Sequence, residues 1–253
     1  MNKYLTSAVA ALLTATSLAT QAADKVLIVV TSHSQMGSSG EKTGYWLSEV
    51  THPYKVLTEA GFEVDIASLA GGQAPADPRS LSETDAVNQW FQRGSAHQPK
   101  LDHSLQLSGL DPKNYQAVIY AGGHGTMWDF PQDKAVQQFT AALYEQGGIV
   151  AAVCHGPAAL LNIRLSSGDL LIKGKHLTGF SNEEEQAVKL EKVVPFSLQD
   201  ELTQRGGLYS AAGLWQSHLV VDGRLVTGQN PQSAEAVGQA VRKLLLSAKM
   251  SSN

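Results

Sequence analysis

Two runs of this chain are apolar without interruption: "KVLIVVT" at 25–31 and "GIVAAVC" at 148–154. Neither alternates with polar residues, as expected for parallel strands covered on both faces. Further strand candidates are "FEVDIAS" (62–68), "QAVIYAG" (116–122), "HLTGF" (176–180) and "LYSA" (208–211). A last one is "SHLVVDGRLVTG" (217–228), where Asp222-Gly223 marks a hairpin turn. Between them the apolar spacing changes to that of helices. Residues 46–60 form one such stretch, closed by Gly61, with Pro53 predicting a break or a second start inside it. A second stretch follows Pro131, with apolar positions 135, 136, 139, 142 and 143, and stops at Gly147-Gly148. Residues 183–191 and 232–247 supply two more, the last carrying Val237, Ala240, Val241, Leu244 and Leu245 on one face. Strands alternating with helices of this length define an α/β fold with a mostly parallel sheet and helices on both faces.

Residues 70–110 break the rhythm. They are rich in Pro, Gly, Ser and Gln and read as an inserted cap with one or two short helices, Ser82 or Thr84 capping the turn before "AVNQWF". Such an excursion either shapes the mouth of a site or is a solvent-facing loop. At the other end of the scale, residues 1–22 read as a secretory signal peptide. Lys3 is followed by a mostly apolar stretch with Thr and Ser, then by the small-residue cleavage site "ATQA". Cleavage leaves residues 23–253 as a single domain, exported and most simply periplasmic. The stretch is too short and too polar to anchor in a bilayer, so no membrane association is expected after cleavage. A formal charge of −4 and the lack of a Lys/Arg block argue against a nucleic-acid partner.

The chain has one cysteine. It rules out an internal disulfide or a cysteine-based zinc site, and an unpaired thiol in an exported protein has to be buried or used. Cys154 falls at the end of a strand and is followed by His155, Gly156 and Pro157. Pro favours a first helical position and Gly permits the sharp turn before it, so the segment reads as a nucleophile elbow. The helix start predicts a lowered thiol pKa. The bland reading is a small buried hydrophobe. The next strand end, "YAGGHGTMWDFP" (120–131), offers the backbone N–H groups of Gly122 and Gly123 as an oxyanion hole, with His124, Met127, Trp128 and Phe130 as pocket walls. Glu49 lies among Trp46, Leu47 and Val50, either inward as an acid/base group or outward on a solvated helix face. The run Glu183-Glu184-Glu185 follows a Ser181 or Asn182 cap, and capping alone explains it. One of the three could also orient His155.

Together, "KTGYWLSEVTHPY", "GGHGTMWDFP", "AAVCHGPAAL", "TGFSNEEE" and "DGRLVTGQNP" resemble the ThiJ/PfpI superfamily, relatives of the class I glutamine amidotransferases. Within it they resemble the branch of stress-inducible chaperones with glutathione-independent glyoxalase activity, and the likeness runs over about residues 25–245. The resemblance implies a flavodoxin-like three-layer sandwich and a homodimer. It implies Cys154 as nucleophile, His155 beside it, Glu49 as the proton shuttle, and Glu185 as the acid of the triad, with Glu184 and Glu183 as the alternatives for that acid. Gly123 and the backbone of His155 fall where the family stabilises an oxyanion. The implied reaction takes a small 2-oxoaldehyde such as methylglyoxal to D-lactate through a cysteine hemithioacetal, with no metal, glutathione or nicotinamide. No GxGxxG fingerprint is present. Two alternatives share the thiol: an amidase, peptidase or protein deglycase, and a holdase chaperone using the cysteine as an oxidation sensor.

Overall fold

The computed structural model describes residues 25–82 and 84–251; the signal-peptide reading at 1–22 lies outside them. β1 (Lys25–Val30), β2 (Glu63–Ser68), β3 (Leu105–Gln106), β4 (Ala117–Tyr120) and β5 (Ile149–Val153) pair in parallel. A separate parallel pair is formed by β6 (His176–Leu177) and β7 (Leu208–Tyr209). The hairpin β8 (Leu219–Asp222) and β9 (Leu225–Gly228) completes a seven-stranded sheet of order β3-β2-β1-β4-β5-β9-β8, in which only β8 is antiparallel. Val26–Val30, β4 and β5 are buried along their whole length. This is why their sequences are apolar without alternation: neither face meets water.

The helices are α1 (Leu47–Glu59), α2 (Pro78–Leu81), α3 (Ala86–Arg93), α4 (Pro99–Asp102), α5 (Thr126–Asp129), α6 (Lys134–Glu145), α7 (Asn182–Ala187), α8 (Leu198–Gln204) and α9 (Ala234–Ser251). The pair α1 and α9 covers one face of the sheet and α6 the other. Tyr120 of β4 reaches Thr140 of α6 at 2.5 Å, whereas Val153 of β5 packs beside Gly228 and Val237 on the α9 side.

Three expectations are corrected. Pro53 does not break its helix: α1 runs through it. A Cβ on Gly238 of α9 would come 2.8 Å from the Pro53 Cα, so the missing hydrogen bond is offset by close packing of the two helices. The cap before "AVNQWF" is Asp85, whose side chain accepts from the Asn88 N–H, rather than Ser82 or Thr84. The insertion holds three short helices, α2 to α4, rather than one or two. It is sewn to the segment before α1, because Tyr45 and Asp77 exchange backbone hydrogen bonds with Pro75 and Tyr45 at 2.9 Å each. Gly44 permits this contact, since a Cβ there would lie 1.9 Å from the Pro75 carbonyl oxygen. Helix α8, begun by its Ser197 cap, was not anticipated from the spacing.

Candidate active site

The sheet delivers Cys154 at the carboxyl end of β5, in the crevice where open α/β sheets place their ligands. Its φ is +59°, and its backbone is pinned on both sides: its N–H donates to Gly228 O at 2.9 Å and its carbonyl accepts from Phe180 N–H at 2.8 Å. The chain then turns under the neighbouring strand. A Cβ on Gly156 would lie 2.1 Å from Tyr120 O, so this position needs glycine for the close approach. Gly156 thus shapes the elbow from below rather than lining the pocket. Residues 156–160 form a five-residue 3-10 turn, not an α-helix.

The sulfur sits at the floor of a cavity of about 270 Å³ walled by Trp46, His124, Phe180, Trp215 and Arg79. Only 3% of Cys154 is exposed. His155 Nδ1 lies 3.3 Å from Sγ, and His155 Nε2 lies 2.8 Å from Glu185 Oε2. The other Glu185 oxygen, Oε1, lies 3.0 Å from His124 Nε2. All three are buried. The carboxyl of Glu49, fully buried on the first turn of α1, also lies within hydrogen-bonding reach of the thiol. Its Oε2 accepts from the Gly122 N–H at 2.7 Å.

These contacts reverse the expected thiol acidity. Burial pushes the Cys154 thiol well above its ordinary pKa, and the negative charge and hydrogen bond of Glu49 push it further. Glu184 adds to this, and the Gly123 N–H opposes it. A lowered pKa rested on a helix start, and a five-residue 3-10 turn supplies little dipole against such desolvation. Two anions in contact in a dry pocket cannot both persist, so Cys154 and Glu49 hold one proton between them. At Glu185 the balance runs the other way. Burial opposes ionisation there, but the His155 charge and the hydrogen bonds from both histidines hold it well below the usual carboxylate range. His124 is lowered to about 4, chiefly by burial and then by His155, and is neutral at pH 7.

The structure therefore brings together Cys154, His155, Glu49, Glu185, Gly123 and His124. Gly122 lies beside them, but its N–H is spent on Glu49 and its Cα faces the Val153 carbonyl and the Glu49 carboxyl too closely for any side chain. Trp128 does not line the pocket. The turn α5 carries it away from the sulfur to stack on His33, with ring centroids 5.2 Å apart. Met127 and Phe130 are core residues. Of the glutamates, Glu183 is exposed, and Glu184 is buried in a capping box with Ser181. Sequence reasoning missed Trp46 and Phe180 as walls and overlooked Arg79 altogether. Arg79 carries no signal of its own inside a polar insertion, although Asp77-Pro78 before it is a readable helix start.

Among the described residues, His124, His155 and Glu185 are close enough to hold a metal, with ligand atoms within 4.8 Å of one another. A ligating histidine turns its second nitrogen to an acceptor. Nδ1 of His124 instead faces Arg79 Nη2 at 3.2 Å, a donor, so its Nε2 holds a proton where a metal would need a lone pair. The arrangement does not fit a resident ion.

A buried cysteine on a strained elbow at the carboxyl end of a parallel strand, in contact with a carboxyl and with a histidine–carboxylate pair, defines an α/β protein with a thiol-centred reaction pocket. The chain belongs to the DJ-1/PfpI family, whose profile matches residues 42–244. It is 34% identical over 229 residues to "Glyoxalase 3" of Candida albicans, covering 86% of this chain and 96% of that one. Among solved structures, the Rapid Encystment Protein 24 kDa of Francisella tularensis superposes with a TM-score of 0.85 at 44% identity, over 87% of this chain and 98% of that one. Glyoxalase III from Candida albicans gives 0.82 at 33%, over 87% and 96%.

Proposed function

We propose that this protein is a glutathione-independent glyoxalase that converts small 2-oxoaldehydes, methylglyoxal among them, to 2-hydroxy acids. The observation that carries the reading is that two separate proton carriers reach Cys154: Glu49, and His155 held by Glu185. An amide hydrolysis needs one acid/base group beside the nucleophile. An internal redox reaction of a 2-oxoaldehyde also needs a group that moves a proton between adjacent carbons. The likeness to proteins named glyoxalases over most of the chain supports the same reading.

The chemistry balances without an external oxidant. The sulfur adds to the aldehyde carbon while the thiol proton passes to Glu49, which hands it on to the aldehyde oxygen to give a hemithioacetal and is left as the carboxylate. The Gly123 N–H, already directed at the sulfur, is placed to steady the oxygen. Glu49 takes the C1 proton and returns one to C2 through an enediol, so C1 is oxidised as C2 is reduced. Water activated by His155 cleaves the resulting thioester, releasing the 2-hydroxy acid, D-lactate from methylglyoxal, and restoring the thiol. The high resting pKa of Cys154 requires that deprotonation accompany attack. This is why a base in contact with the sulfur matters here.

The test is to incubate purified protein with methylglyoxal in D2O without glutathione. The expected result is lactate made at the expense of methylglyoxal, with Cys154→Ser inactive and a lactoyl mass increase trapped on the wild-type thiol. Lactate formation by Cys154→Ser at the wild-type rate would overturn the proposal. We propose further that the chain works after export to the periplasm and as a homodimer. Residues 1–22 have the composition of a cleavable leader, and fractionation together with light scattering tests both: retention of the leader in the cytoplasm, or monomer at micromolar concentration, would refute them.

A further inference from the structure

Among the described residues, Arg79 is the guanidinium in the pocket wall, and the reaction above does not use it. Three contacts fix it. Its Nε lies 2.9 Å from Asp77 Oδ1 and its Nη2 lies 2.7 Å from Asp77 Oδ2, a two-pronged fork onto a fully buried carboxylate. The cation also lies 5.7 Å from the centre of the Trp46 ring. Asp77 is itself held, because its Oδ2 accepts from the Thr43 hydroxyl at 2.9 Å and its Oδ1 from the Arg79 N–H at 3.0 Å. An arginine bound in this way does not swing with the solvent.

From that fixed position Arg79 Nη2 reaches His124 Nδ1 at 3.2 Å. A guanidinium has only donors, so Nδ1 must accept, and the single proton of neutral His124 sits on Nε2. That nitrogen is the one 3.0 Å from Glu185 Oε1. We infer that Arg79 and His124 are positioning residues for Glu185: Arg79 selects the His124 tautomer, and His124 then fixes the carboxylate so that its other oxygen meets His155. The inference rests on the Cys154–His155–Glu185 reading of the site. It gives the 70–110 insertion a mechanical role, since its α2 carries both Arg79 and the Asp77 cap. Without Arg79, the His124 ring is free to present a lone pair to Glu185. The carboxylate then turns away, and His155 loses the partner that orients it. A substrate-contacting role for Arg79 would show differently, because its charge is already matched by Asp77 and a lost substrate contact would appear in KM.

The experiment combines histidine-selective 15N NMR with steady-state kinetics on methylglyoxal for the wild type, Arg79→Met and Arg79→Lys. The His124 signal is assigned by its loss in His124→Phe. In the wild type at neutral pH, His124 is expected to be the neutral Nε2–H tautomer. In Arg79→Met it should become a mixture of tautomers or a protonated ring, with kcat down roughly 10- to 100-fold, as when groups orienting a catalytic ligand are removed, and KM changed less than about two-fold. Arg79→Lys, which keeps one donor, should restore the tautomer and part of kcat. A wild-type Nδ1–H signal overturns the inference. So does an unchanged tautomer in Arg79→Met, or a rise in KM at constant kcat. Should the wild type fail to turn over methylglyoxal, the glyoxalase reading falls, while the NMR pattern still decides the tautomer control. If Arg79→Met does not fold, the wild-type and Arg79→Lys spectra carry the decision.

Discussion

Glu184 and Glu185 are adjacent and both buried, yet their carboxylates serve opposite sides of the chain. Glu185 lies behind the reaction pocket's histidines and binds His155 and His124 at 2.8 and 3.0 Å. Glu184 faces inward to the scaffold, with Oε2 on the Ser181 N–H and hydroxyl and Oε1 on the Trp215 N–H and Asn230 Nδ2. The first turn of α7 separates them by the rotation of one helical residue.

This division predicts different phenotypes for one and the same substitution. Glu185→Gln should lower kcat roughly 10²- to 10⁴-fold, by analogy with loss of a triad acid, with the melting temperature little changed. Glu184→Gln should lose about 1–3 kcal/mol of stability, because several buried donors lose a charged acceptor, and retain most of the turnover. Denaturant titration beside kinetics decides, and equal activity losses in the two variants would count against the assignment.

The thiol acidity is open to a direct check. With the Cys154 pKa raised, alkylation by iodoacetamide should keep accelerating with pH beyond the ordinary thiol range, without a plateau near neutrality. Glu49→Gln removes the carboxylate charge that, after burial, raises the thiol most, so it should speed alkylation at pH 7–8 while abolishing turnover. Slower alkylation in that variant would contradict the proposed contact.

Stability should fall in mild acid for a traceable reason. His124 has its folded pKa lowered to about 4 from 6.5, so between those values the unfolded chain binds the proton that the folded chain excludes. Stability is therefore complete above about pH 6.5 and is lost as the pH falls towards 4, by about 2–3 kcal/mol in all. Glu185, with its pKa depressed, acts in the same direction below the usual carboxylate range. His124→Gln, which keeps an acceptor for Arg79 and a donor for Glu185, should flatten the slope between pH 6.5 and 4.5. An unchanged slope refutes the assignment to His124.

Two tryptophans should separate in kinetics. Trp215 walls the pocket and packs 5.9 Å from Phe180, whereas Trp128 stacks on His33 outside it. Trp215→Ala should raise KM for methylglyoxal, while Trp128→Ala should cost about 1 kcal/mol of stability from the lost stack and leave KM as it was. The reverse pattern would return Trp128 to the pocket.

The amino-acid sequence alone determined the α/β class, because buried parallel strands must be apolar throughout and the helices between them must show an apolar stripe. It also marked Cys154, since a lone thiol followed by His-Gly-Pro at a strand end has few structural excuses. Glu49 and Glu185 were legible only by likeness to a family, because a glutamate on a helix reads the same in a core or in water. Packing decided the rest. Glu184 and Glu185 were told apart by the turn of α7, and Trp128 was removed from the pocket by the turn of α5. Burial made the thiol weakly acidic where a strand-to-helix turn had implied the opposite. Arg79 entered the site from 75 residues upstream of the cysteine. Local spacing encodes which way a side chain leaves its own element, but desolvation and long-range contacts depend on what the other elements bring to meet it.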